Sequence, residues 1–114
     1  MTAIVINRDY GGFGLSDEAI VRLFELKKWK LVKQDTDSGT TFYYVDSIDS
    51  HNLFYEYDLC REDPDLVQVV KELGEKANGR YSSLKIVTIP DDVEYEIIDY
   101  DGREHIAEVH RTWF

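Results

Sequence analysis

Pro90-Asp91-Asp92-Val93-Glu94-Tyr95-Glu96-Ile97-Ile98-Asp99-Tyr100-Asp101-Gly102-Arg103-Glu104-His105-Ile106-Ala107-Glu108-Val109 alternates apolar and charged side chains on both sides of an Asp-Gly pair. That alternation, broken at a turn dipeptide, predicts a β-hairpin. With Tyr100-Asp101-Gly102 as a three-residue turn and Gly102 in a left-handed bulge, Asp99 pairs with Arg103. Val93, Tyr95 and Ile97 then face His105, Ala107 and Val109, the better match of apolar sides and the expected register. A two-residue Asp101-Gly102 turn shifts the pairing by one, setting Ile97 beside Ile106 and Val93 opposite His110. A helix through Ile106, Val109, His110 and Trp113 is the rival to the second strand. From Asp91 to Glu108 the stretch holds eight carboxylates against one Arg, so it reads as a core anchor on one side and an acidic surface on the other.

The chain upstream supplies what such a hairpin packs on. Ala3 to Asn7 is a short buried strand built on Ile4, Val5 and Ile6. Three glycines in the Tyr10-Gly11-Gly12-Phe13-Gly14-Leu15 segment lead to Ser16, an N-cap for a helix from Asp17 to Lys28 whose buried face is Ala19, Ile20, Leu23 and Phe24. Residues 29–45 read as a second hairpin, turning through Asp35 to Gly39. Leu53-Phe54-Tyr55-Glu56-Tyr57 fits either an edge strand or a loop that tucks aromatics against the sheet. Asp63-Pro64 starts a second helix with the stripe Leu66, Val67, Val69, Val70 and Leu73, ending between Gly74 and Gly79. Leu84 to Ile89 is a further strand closed by Pro90. The expected fold is α+β, a single domain over residues 1–114, mainly an antiparallel β-sheet with two helices packed on it and a C-terminal β-hairpin.

At 114 residues and 43% apolar the chain fits one core. No run approaches the roughly 18 apolar residues of a membrane span, and the start lacks the pattern of a signal peptide. With Cys60 the only cysteine, no internal disulfide forms; the expectation is a cytoplasmic protein with Cys60 as a small core residue. Thirteen Lys and Arg against 23 Asp and Glu give a net charge of −10, which repels nucleic acid and anionic membrane and attracts a basic surface.

Two segments carry candidate chemistry. The glycine-rich loop before the first helix could cradle a phosphate on free backbone N–H groups, with Tyr10, Gly11, Gly12, Phe13, Gly14 and Ser16 joined by Arg111 and Trp113 around a nucleotide. It is neither a Walker motif nor the dinucleotide fingerprint, and a tight connection in which Phe13 and Leu15 staple the helix explains the same residues. On the hairpin, Glu104, Glu108 and His110 alternate along one side, with His105 and Arg111 on the other; a metal would need help from Asp46, Asp49 or His51. Ser82 and Ser83 precede a strand and are not on a nucleophile elbow. Arg111, Trp113 and Phe114 suit a binding anchor or a homodimer contact.

Ile6-Asn7 with Tyr10-Gly11-Gly12-Phe13-Gly14-Leu15-Ser16, then Arg61-Glu62-Asp63-Pro64-Asp65-Leu66, then Ile89 to Tyr100-Asp101-Gly102 and His110-Arg111-Thr112-Trp113, resembles a group of small uncharacterised proteins of bacteriophages and large DNA viruses. The resemblance spans nearly the whole chain and implies a viral accessory protein acting in the cytoplasm of an infected host cell. The leading expectation is therefore a non-enzymatic, anti-defence binder that inhibits a host protein. Asp91, Asp92, Glu94, Glu96, Asp99, Asp101 and Glu108 would mimic nucleic acid toward a basic surface, and no cofactor is expected. The alternatives are a sequesterer of an immune-signal nucleotide and, behind it, a metal-dependent hydrolase.

Overall fold

The structure, a computed structural model, describes residues 1–109. Its order is β1 (Thr2–Asn7), α1 (Asp17–Lys27), β2 (Leu31–Asp35), β3 (Thr41–Val45), α2 (Pro64–Leu73), β4 (Leu84–Ile89), β5 (Tyr95–Tyr100) and β6 (Arg103–Glu108), with single 3-10 turns at Ser50–Asn52, Glu56–Asp58 and Gly74–Ala77. The architecture is α+β, and all strand pairing is antiparallel. The six strands are divided among three two-stranded ribbons, β1 with β4, β2 with β3 and β5 with β6.

The helices form where their caps dictate. Ser16 Oγ accepts the N–H of Ala19, Asp17 and Glu18 occupy the positive first turn, and Lys28 closes the helix in the left-handed region at φ 59°. Asp63 accepts the N–H of Asp65 ahead of Pro64, and Gly74 ends α2 at φ 57°. Between the helices Lys27 Nζ lies 2.5 Å from Asp63 and 3.2 Å from Asp65, so a cation at the end of α1 also fixes the start of α2. Val5 of β1 joins Ile20, Leu23 and Phe24 of α1 and Leu66, Val69 and Val70 of α2 in one core, each fully or nearly fully buried. Each such side chain contributes roughly 1.5–3 kcal/mol of burial.

By strand alternation Ile4 and Ile6 face away from that core, yet they are as buried as Val5. The terminal hairpin explains this, because it runs the length of β1. At its base Asp91 accepts the amino group of Met1 at 3.0 Å and the hydroxyl of Thr2 at 2.7 Å. At its tip the carbonyl of Gly102 accepts from Asn7 Nδ2 at 2.6 Å, and Glu104 accepts the N–H of Asn7 at 2.8 Å.

Three expectations need correction or completion. The hairpin closes through the two-residue Asp101-Gly102 turn, with φ 53° and 91°, so Tyr100 pairs with Arg103, Ile97 with Ile106 and Tyr95 with Glu108. Both turn residues lie at positive φ, the tight turn that matches strand twist, and the three-residue register is not adopted. Tyr95 and Ile97 do face inward, but with Glu104 and Ile106; His105 and Ala107 fall on the other side. Cys60 is exposed, because Arg61 beside it takes the inward direction. The Leu53 to Tyr57 segment is only briefly strand-like: Leu53 bridges Tyr44, Phe54 N–H donates to Tyr43, and the chain then enters a 3-10 turn at Glu56. Phe54 packs edge-on to Phe24 with ring centres 5.2 Å apart, which leaves Tyr55 and Tyr57 outside.

Candidate functional site

The acidic hairpin is held by a buried ion pair. Glu104 is 4% exposed, and its two carboxylate oxygens accept from Nη1 and Nη2 of Arg61 at 2.7 and 2.9 Å. The Arg61 guanidinium lies 3.7 Å from the centre of the Phe13 ring and also donates to the carbonyl of Val5 at 3.3 Å. Arg8 donates to the backbone carbonyl of Glu104 at 3.0 Å. A fork-to-fork Arg–carboxylate pair is geometrically specific, so it sets which face of β6 points inward. Glu104 is thus a structural anchor and not a surface carboxylate, and Phe13 is a platform for Arg61 inside the protein.

Outward, β5 and β6 present Glu96, Ile98 and Tyr100 opposite Ala107, His105 and Arg103. Asp91, Asp92, Glu94, Glu96, Asp99, Asp101 and Glu108 are all exposed. They do not have equal duties. Asp91 holds the N-terminus, and the Thr2 hydroxyl together with the Met1 ammonium keeps its carboxyl below the usual range. Asp99 accepts the N–H of Gly102 at 2.8 Å and so shapes the turn. Among the described residues the side chains of Asp92, Glu96, Asp101 and Glu108 make no hydrogen bond or ion pair; Ile98 and Tyr100 stand exposed on β5 between Glu96 and Asp101, whereas Glu108 pairs with Tyr95 and shares its side of the ribbon.

The glycine-rich loop lies against the tip of the same hairpin. A Cβ on Gly102 would stand 2.4 Å from the Gly12 nitrogen, and one on Gly11 would stand 2.5 Å from Tyr81 Cβ. The Tyr81 carbonyl oxygen is equally close to such a Cβ on Gly11, so close packing explains Gly11 without a ligand, and the left-handed φ of 92° explains Gly12. Beside them is a cleft of about 180 Å³ bounded by Gly11 to Leu15, by Glu56 and Tyr57, and by Gly79 to Ser82. Glu56 Oε2 accepts the N–H of Leu15 at 2.5 Å. Burial pushes the Glu56 carboxyl above its ordinary range, and the Leu15 N–H only partly offsets this. Ser82 Oγ donates to Gly14 and accepts from Gly79, both at 2.7 Å, a closing role on the loop. Tyr10 is exposed, with the Arg103 guanidinium 5.7 Å from its ring, and Ser16 caps α1. Arg111 and Trp113, with His110 and Phe114, lie outside the described residues, as does the C-terminal dimer contact expected of them.

Asp46, Asp49 and His51 do not approach Glu104: Asp49 caps the 3-10 turn by accepting the N–H of His51. Among the described residues no three His, Cys, Asp or Glu side chains converge as a metal would require, and no helix is long and apolar enough to cross a membrane. The Arg61–Glu104 pair and the Glu56 cleft are the two features that sequence reading misses. Signals were present in each case: an Arg two residues before the Asp63 cap, and a Glu between two tyrosines. Comparison with protein-family models, curated proteins and solved structures returned no match.

Proposed function

We propose that the chain is a binding protein that engages a basic surface on another protein through its C-terminal hairpin, as a viral accessory factor inhibiting a host protein in the host cytoplasm. The observation that carries this reading is the set of carboxylates on Asp92, Glu96, Asp101 and Glu108. They have no internal partner among the described residues, and two of them, Glu96 and Asp101, flank exposed Ile98 and Tyr100 on a ribbon fixed at both ends. Carboxylates without partners steer a cationic surface, and an exposed Tyr beside them supplies an anchor. Spread over the ribbon and its turns, they stand in for the phosphates of a nucleic acid.

The test is affinity capture from host extract with the unaltered protein and with Asp92→Lys combined with Glu96→Lys. A protein retained by the first, lost with the second and lost in roughly 0.5 M salt is the expected result, since exposed charges act within about one Debye length. Retention unchanged by the charge reversal would refute the reading.

A nucleotide held by the Tyr10 to Ser16 loop is the second reading. Arg80 and Tyr81 at the cleft favour it, and the Glu56 carboxylate opposes a phosphate there. A thermal-shift screen with nucleotides at millimolar concentration tests it; no rise in melting temperature removes it.

A further inference from the structure

The Glu56 cleft has no role in the fold that accounts for its chemistry. One carboxylate oxygen is taken by the Leu15 N–H, and the other has no hydrogen-bond partner among the described residues. No buried polar side-chain atom there lacks a partner, so this second oxygen keeps contact with solvent through the cleft. Tyr57 and Tyr81, 76% and 63% exposed, line the same opening. The Arg80 guanidinium lies 5.4 Å from the centre of the Tyr81 ring, so the Tyr81 wall already carries a cation of the chain and a second guanidinium would stack on the Tyr57 side. At about 180 Å³ the cleft is smaller than the roughly 300 Å³ at which pockets for drug-sized ligands begin. It suits the head of one side chain and not a whole nucleotide. Its floor is the Gly11–Gly12 backbone on which the Gly102 turn rests, so cleft and acidic hairpin form one continuous surface.

We infer that this cleft receives a single arginine side chain of the protein that the hairpin engages, with Glu56 as counter-ion to the guanidinium and the Tyr57 ring as its stacking wall. The inference rests on the reading of the hairpin as a partner surface. A guanidinium matches a carboxylate in its plane and an aromatic ring across its face, and it restores the hydration that Glu56 loses by burial. Its occupant is thereby opposite in charge to the phosphate expected of a glycine-rich loop.

The experiment is an NMR titration of the full chain with N-acetyl-arginine amide, following the Leu15, Gly12 and Gly14 amides, with N-acetyl-citrulline amide as the neutral counterpart. The arginine probe should move these signals with a dissociation constant of about 1–10 mM, and citrulline should not. Glu56→Gln, which keeps an acceptor for Leu15, should weaken binding about tenfold or more. Tyr57→Ala, at a position exposed enough to leave the fold untouched, should weaken it several-fold. Equal shifts from both probes, shifts that survive both substitutions, or shifts produced by inorganic phosphate in place of arginine would overturn the inference. The Asp92→Lys, Glu96→Lys protein should keep the arginine shifts, so failure of the hairpin reading and failure of the cleft are separable.

Discussion

Replacing Glu104 with alanine tests the ion pair that orients the hairpin. The substitution removes the partners of two Arg61 N–H groups at 2.7 and 2.9 Å and the acceptor of the buried Asn7 N–H at 2.8 Å. Breaking a buried pair from one side costs about 3–5 kcal/mol, because the remaining charge is left uncompensated. Arg61 would keep the Val5 carbonyl and the Phe13 ring, and its side chain is 16% exposed, which places this loss near the lower bound. The orphaned Asn7 N–H adds about 1 kcal/mol, for a total of about 4 kcal/mol. In urea, where domains of this size have slopes of roughly 1–3 kcal/mol per M, the unfolding midpoint should fall by about 2 M. Pairing Arg61→Met with Glu104→Leu removes the stranded charge as well, so the double variant should be more stable than Glu104→Ala alone. The reasoning is refuted if Glu104→Ala moves the midpoint by less than about 0.5 M at unchanged slope, or if the double variant is the weaker of the two.

Gly102→Ala should cost more than about 2 kcal/mol, combining a left-handed φ with a Cβ placed 2.4 Å from the Gly12 nitrogen. Gly39→Ala, also at positive φ but with nothing within 4 Å of the added carbon, should cost only about 1 kcal/mol; equal losses in urea melts would contradict the docking of the turn. For Asp63, burial raises the carboxyl, but the Lys27 ammonium and the Asp65 N–H outweigh it and hold the net value below the ordinary range. A folded value below the unfolded one means that its stabilisation is full above about pH 4 and fades as pH falls through the lower folded value. The stability gap between the unaltered protein and Asp63→Asn, about 1–3 kcal/mol at neutral pH, should therefore close in acid, and a gap constant from pH 7 down to about pH 2 would show the cause to be otherwise.

Both helices were legible because their signals are local: Ser16 and Asp63-Pro64 sit within one turn of the groups they cap. The terminal hairpin was legible in kind but not in register, since Tyr100-Asp101-Gly102 supports either turn and alternation alone favoured Ala107 and Val109 as the inner face. What decides between them is Arg61, 43 residues from Glu104 in sequence, and a carboxylate on a strand ordinarily reads as an outward residue. The acidic surface was visible as composition, but Asp91 and Asp99 could not be told from Asp92 and Glu96 until their partners were seen. The glycines of the loop drew attention to a ligand; three-dimensional contact with Tyr81 accounts for Gly11 and a left-handed φ for Gly12, and Glu56, 41 residues on from Leu15, alters the charge the cleft would accept.

The position of β1 bears on how the chain reaches its fold during synthesis. Its Val5 N–H is answered by Arg61, its ladder by Leu84 to Ile89, and its Asn7 N–H by Glu104, 97 residues later. Contacts of such sequence separation form slowly, because a long loop must close before any of them is rewarded. Ile4-Val5-Ile6, an apolar β-branched run, therefore leaves the ribosome early and waits unpaired, the condition in which strands associate with the wrong chain. Translation has to deliver the chain as far as Ile89 before the first strand can complete its ladder.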